Sequence, residues 1–218
     1  MMRLFKVIFI IALITSCQQQ KNIELPFYNT PDFTPIFIDQ EKEVSEIVTH
    51  QIGSFSMSDQ NNHKVTEADI KGKIHVANFI FTSCGSICPI MTENMKIIDA
   101  GFSGDPQVEI LSFSVTPWID NVEVLKEYTL KNNIKSDNWH FLTGKKSEIY
   151  DLARKSYFAE EDIGFTKDST EFLHTEHVIL VDATQRIRGI YNGTLKLDMK
   201  QLSEDIQTLK DERDSNIF

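Results

Sequence analysis

At 218 residues, 41% hydrophobic and 25% charged, the chain is long enough for one domain with a sizeable core plus extensions, and its composition is neither fibrous nor disordered. Its 22 lysines and arginines against 32 aspartates and glutamates leave a formal net charge of −10, which argues against nucleic acid and against a charge-driven hold on anionic lipid. It carries neither a nucleophile elbow nor a phosphate-binding glycine loop, so hydrolase and nucleotide chemistry have no motif to rest on.

Residues 1–16 read as a targeting segment. Arg3 and Lys6 give a positive start, and Val7 to Ile14 is an apolar core too short to span a bilayer as a mature helix. Leu13-Ile14-Thr15-Ser16-Cys17 resembles a bacterial lipobox, which implies diacylglycerol transfer to the Cys17 thiol and cleavage before it. The expected product is an extracytoplasmic lipoprotein, membrane-anchored and facing the periplasm, where a disulfide is also permitted. Residues 17–45 show no convincing period and are broken by Pro26, Pro31 and Pro35, so they read as a tether that holds a domain at 46–218 off the membrane. The aromatics Phe27, Tyr28, Phe33 and Phe37 leave an added strand open as the alternative.

The domain opens with alternation from Ile52 to Met57, a turn at Asp59-Gln60-Asn61-Asn62, and a returning arm from His63 to Thr66, together a hairpin. Thr66 to Asp69 starts a short turn of helix. Ile74 to Phe81 is almost wholly apolar and reads as a central strand covered on both faces. Thr82 and Ser83 end it, and Cys84 follows in a loop. Pro89 is tolerated in a helix only in the first turn, so a helix starts near Cys88. A thiol at a helix start is shifted toward thiolate by the unpaired N–H groups there. Cys84 and Cys88, one before the helix and one at its start, are able to converge on one point. There they would close a disulfide or grip one soft metal ion; a structural disulfide or two core cysteines is the plainer alternative.

Met91 to Ala100 completes that helix, and Val108 to Val115 is the next buried strand. Thr116-Pro117 ends the strand, and Asp120 or Asn121 caps a helix from Val122 to Lys131. Trp139 to Leu142 is a strand, and Lys146 to Tyr157 a helix with Ile149, Leu152 and Ala153 inward. A polar, acidic loop from Glu160 to Thr170 leads to Phe172-Leu173-His174. Strands Val178 to Asp182 and Ile187 to Tyr191 and a helix from Met199 to Leu209 end the chain.

The stretch Phe81-Thr82-Ser83-Cys84-Gly85-Ser86-Ile87-Cys88-Pro89 resembles the copper-binding signature T-x-C-x-x-x-C-P of the Sco (SenC) family. Trp139 to Gly144 is similar to that family's W-x-F-L-T-G. The resemblance runs from Ile52 to the last helix. It implies an α/β, thioredoxin-like fold with an N-terminal hairpin and extra insertions. It also implies copper, as Cu(I) or Cu(II), on Cys84, Cys88 and His174, with Cys84–Cys88 as the disulfide of the oxidised form. His174 fits the ligand register, with Leu180 and Val181 at the sixth and seventh positions beyond it; strand alternation turns His177 to the opposite face. His50, His63, His75 and His140 have surface or structural roles by default. The implied function is a copper metallochaperone serving the binuclear copper site of cytochrome c oxidase. Its partners would be the copper-bearing subunit of that oxidase, other copper carriers, and the membrane through the lipid anchor. The alternatives are a thiol-disulfide reductase, which is the enzymatic reading, and a redox or copper sensor. One departure stands out: the family's S-V-D-P-x-x-D-T-P reads Ser114-Val115-Thr116-Pro117-Trp118-Ile119-Asp120-Asn121-Val122 here, with Thr116 in place of the first acid. Trp118 reads as a core or loop-packing residue, with an exposed contact as the alternative.

Overall fold

The computed structural model describes residues 24–38, 41–159 and 175–214. The targeting segment with Cys17 and the loop ending in His174 lie outside the described residues. In chain order the elements are β1 (Phe27–Tyr28), β2 (Pro35–Ile36), α1 (Glu41–Ile47), β3 (Ser56–Ser58), β4 (Lys64–Thr66), α2 (Glu67–Ile70), β5 (Ile74–Ile80), α3 (Ile87–Phe102), β6 (Val108–Ser114), α4 (Val122–Lys131), β7 (Trp139–Leu142), α5 (Lys146–Lys155), β8 (His177–Val181), β9 (Ile187–Asn192) and α6 (Lys196–Asp214).

The two apolar runs make the centre. β5 and β6 are buried at every position, as strands covered on both faces must be. They pair in parallel from Ile74–Val108 to Ile80–Ser114, and β7 extends the parallel set. On the other side of β5 the β8–β9 hairpin runs antiparallel, with Asn78 opposite Val178. The full order is β2-β1-β9-β8-β5-β6-β7. One face of the sheet (Val76, Ile80, Ile110, Phe141, Leu180) packs with Met91, Met95 and Ile98 of α3 and Leu202, Ile206 and Leu209 of α6. The other face (Ala77, Phe79, Leu111, Phe113, Ile179) packs with Ile149, Leu152 and Ala153 of α5 and with Phe55, Met57 and Val65 around the N-terminal hairpin. This is the α/β layout with helices on both faces and a leading hairpin that the element order predicts.

Three boundaries differ from the sequence reading. The hairpin strands are shorter, three residues each, and Gln60 in their turn docks on β7: its Nε2 donates to the Trp139 carbonyl at 2.9 Å, and its Oε1 accepts the Phe141 N–H at 2.7 Å. The last helix runs on to Asp214. The stretch read as a tether to residue 45 is folded from residue 24 on: β1 pairs with β9 through Tyr28 and Ile187, and Phe27 is buried with Ile38, Val44 and Val48. The alternative of an added strand is the correct one. Its anchor is Arg188, fully buried on β9. The guanidinium donates to the carbonyls of Pro26 and Leu25, to both Glu212 oxygens of α6 and to Asp182, and lies 4.0 Å from the centre of the Phe27 ring. Such a group is invisible in a local pattern, because its partners come from both ends of the chain.

Candidate metal centre

The cysteine site forms where β5 ends and α3 begins. After Ile80 the chain turns, and the Cys84 N–H donates to the Phe81 carbonyl at 3.2 Å. α3 starts at Ile87, so Cys88 and Pro89 both lie in its first turn. The N-cap Ser86 makes no side-chain cap, which leaves the first N–H groups of the helix to other acceptors. Cys84 Sγ is one: the Cys88 N–H donates to it at 3.5 Å.

The two sulfurs are free thiols with opposed tendencies. Burial pushes the Cys84 thiol up, but N–H groups of Cys88, Ser86 and Ile87 and the Cys88 thiol hydrogen outweigh that and bring it below its ordinary value. Cys88 is 3% exposed. Burial, then the neighbouring Cys84 and Asp120 charges, push its thiol up to about 12. Cys84 is therefore the more acidic and more accessible thiol, and Cys88 the buried one that holds its proton. Tyr128 packs against the same apolar cluster as the two cysteines. Its hydroxyl is 2.8 Å from Thr92 Oγ1 of α3, and burial together with the charges of Cys88, Cys84 and Asp120 keeps it protonated.

Of the two candidate caps of α4, Asp120 and Asn121, the structure selects the second. The cap of α4 is Asn121, whose Oδ1 accepts the Val124 N–H at 2.9 Å. Asp120 points inward and is fully buried. Its oxygens accept Thr82 Oγ1 at 2.6 Å, Ser114 Oγ at 2.6 Å, Thr116 Oγ1 at 2.9 Å and the Thr82 N–H at 3.2 Å. Thr116, at the position where the family pattern has an acid, is thus a donor to the acid that remains. Three hydroxyls at the ends of two buried strands are the sequence signal that points to a buried acceptor.

Trp118 is 58% exposed, Ile119 48% and Ile90 50%. Trp118 is therefore a surface residue and not the loop-packing one expected, with the Lys146 ammonium 5.0 Å from its ring centre.

β8 runs antiparallel to β5 with Val178 opposite Asn78, so the chain enters β8 at the edge of the sheet from which the Cys84 loop leaves. His174, three residues before β8, lies outside the described residues. His177 packs edge-on against Phe33, ring centres 5.7 Å apart, on the face opposite Cys88, as alternation predicts. The other histidines have structural settings. His50 stacks on Phe158, His75 is buried against the Tyr157 hydroxyl with its pKa lowered to about 3 by burial, and His140 lies between Asp59 and Glu109. Among the described residues no group of three His, Cys, Asp or Glu side chains is placed to hold a metal ion, so within them this is a two-sulfur site. Its donor set is soft, two sulfurs, while the Asp120 carboxylate is engaged by four donors, one on Oδ1 and three on Oδ2.

A family model for SCO1/SenC matches residues 45–211. The solved structure of BsSco, a Sco-family cytochrome c oxidase assembly protein with a disulfide switch, is 30% identical with a TM-score of 0.62, over 73% of this chain and 93% of that one. A SCO1/SenC family lipoprotein from Bacillus anthracis str. Ames is 27% identical with a TM-score of 0.64, over 74% and 95%. ScoI of Bradyrhizobium japonicum, solved with copper bound, is 25% identical with a TM-score of 0.56, over 71% and 96%.

Proposed function

The chain belongs to the SCO1/SenC family, and from that membership we propose that it is a copper carrier that delivers the ion to the binuclear copper site of cytochrome c oxidase during assembly of the respiratory complex. The observation that carries the reading is the juxtaposition of Cys84 and Cys88, two soft donors at a helix start. Copper is the cargo. Both thiols lose their protons when they bind it, so uptake is coupled to proton release. The half-buried sulfur, Cys84, meets the incoming ion first; Cys88, buried, completes the pair. His174 is the proposed third ligand. An imidazole beside two thiolates lets one site hold Cu(I) and Cu(II), whereas a thiolate pair alone prefers Cu(I). Three protein ligands leave a position open to a partner's ligand, which favours handover over storage. Cys17 is the proposed lipid anchor, consistent with the family lipoprotein of Bacillus anthracis, and it sets the site outside the cytoplasm.

A second reading, thiol-disulfide exchange with a partner's cysteines, is favoured by the unequal thiols: a half-buried, acidified Cys84 and a buried, protonated Cys88 suit attack by the first and resolution by the second. Copper stoichiometry of the full chain tests the carrier. One ion per reduced chain and none per chain with the Cys84–Cys88 disulfide is the expected result; equal uptake in both states would count against it. His174→Ala separates the readings. A carrier loses Cu(II) binding and oxidase copper insertion, while a reductase keeps its exchange rate within about tenfold, or about 1.4 kcal/mol. Normal copper insertion in cells bearing that variant would promote the exchange reading.

A further inference from the structure

Asp120 is a buried carboxylate whose partners, among the described residues, include no cation. A carboxylate removed from water is costly unless hydrogen bonds replace its hydration, and here neutral donors alone do so. What it touches explains its place. Thr82 lies two residues before Cys84 and gives Asp120 both its N–H and its hydroxyl. Ser114 and Thr116 lie at the end of the neighbouring strand β6. The carboxylate thus bridges the ends of two adjacent strands at the point where the Cys84 loop leaves the sheet.

We infer that Asp120 is the positioning residue of the cysteine site: it pins the loop that carries Cys84 to the end of β6, and its fixed negative charge stands behind the sulfurs as a counter-charge that favours a bound cation. Both its oxygens accept from protein donors, one on Oδ1 and three on Oδ2, so it acts through the loop and through its field. The carboxylate is one hydrogen bond from Thr82, two residues before Cys84, which sets its charge next to the cysteine loop. The pinning half stands on geometry alone; the charge half rests on the carrier reading.

Two variants of the full chain, purified in detergent, separate the halves. Thr82→Val removes one hydrogen bond to the carboxylate and leaves the charge. In the reduced, metal-free protein it should speed amide exchange of residues 82–88 by about tenfold or more, the size expected for loss of a hydrogen bond to a charged group. Asp120→Asn keeps the shape and most of the hydrogen bonds but removes the charge. It should leave that exchange within about threefold of the parent while weakening Cu(I), measured against a colorimetric chelator, by about tenfold or more. A role in folding alone would not lower Cu(I) affinity at unchanged loop exchange. Thr82→Val exchange within about threefold of the parent overturns the pinning, and Asp120→Asn binding Cu(I) as tightly as the parent overturns the counter-charge. Should the parent chain bind no Cu(I), the carrier reading and the counter-charge fall together, and the exchange of Thr82→Val still decides the pinning.

Discussion

Alkylation of the reduced, metal-free protein at pH 8 should mark Cys84 far faster than Cys88. Cys84 is held below its ordinary value of 9, and Cys88 is pushed up to about 12. At pH 8 a thiol of pKa 9 is about one-tenth thiolate and one of pKa 12 about one part in ten thousand, a ratio of about a thousand. The more basic thiolate is intrinsically the better nucleophile. With a Brønsted slope of about 0.4–0.5 over three units, this returns a factor of about 20, leaving about fiftyfold in favour of Cys84. The greater acidity of Cys84 than of an ordinary thiol adds to its thiolate fraction, and burial of Cys88 at 3% exposure widens the gap by access. The assay is a limiting dose of iodoacetamide, quenching at intervals, and peptide mass spectrometry of each site. Raising the pH to 10 should narrow the ratio, because Cys84 saturates as thiolate while Cys88 continues to ionise. Equal labelling at pH 8, or preferential labelling of Cys88, would refute the assignment of Cys84 as the accessible thiolate and with it the order of sulfur engagement proposed for copper.

Arg188→Met leaves Glu212 and Asp182 buried without their cation, so it should cost about 3–5 kcal/mol and lower the melting temperature by about 6–20 °C, read by thermal denaturation. An unchanged melting temperature would mean that the N-terminal segment and α6 are held by other contacts. For His140, burial opposes protonation, but Glu109 and Asp59 outweigh it and raise the pKa, with Lys73 paired to Glu109 and exposed His63 near Asp59. A raised His pKa gives stability that is complete below the unfolded value, about 6.5, and is lost as pH rises through the folded value. The urea midpoint should therefore fall from pH 6 toward pH 9, and His140→Gln should flatten that fall; an equally steep fall in the variant would assign it elsewhere. Cys17→Ser should leave the chain unprocessed and without lipid, seen by fractionation and intact mass. A soluble mature form that begins at another residue would remove the anchor.

The strand, loop and helix around the cysteines were legible in the sequence because each rests on short-range physics. A continuous apolar run from Ile74 made β5, and Pro89 bounded the start of α3 to within a residue or two. The resemblance to the family's motif supplied an expectation that spacing alone left open, that Cys84 and Cys88 share a metal with the distant His174. The stretch from Phe27 to Ile36 was ambiguous for the opposite reason. Two-residue strands carry almost no period, and only contact with Ile187 and the buried Arg188 turns them into sheet.

Sequence by itself determined the class of this protein, the order of its core elements and the soft chemistry of its site, since those follow from apolar patterning, proline geometry and cysteine placement along a few neighbouring residues. The tertiary structure alone decided which cysteine is the more buried, that Trp118 faces solvent, and that Asp120 is a buried acceptor and not a helix cap. Those outcomes depend on the burial of a charge and on a donor and an acceptor 38 positions apart, Thr82 and Asp120, being brought to one strand end. Desolvation and long-range hydrogen bonding exist only once the sheet has closed around them.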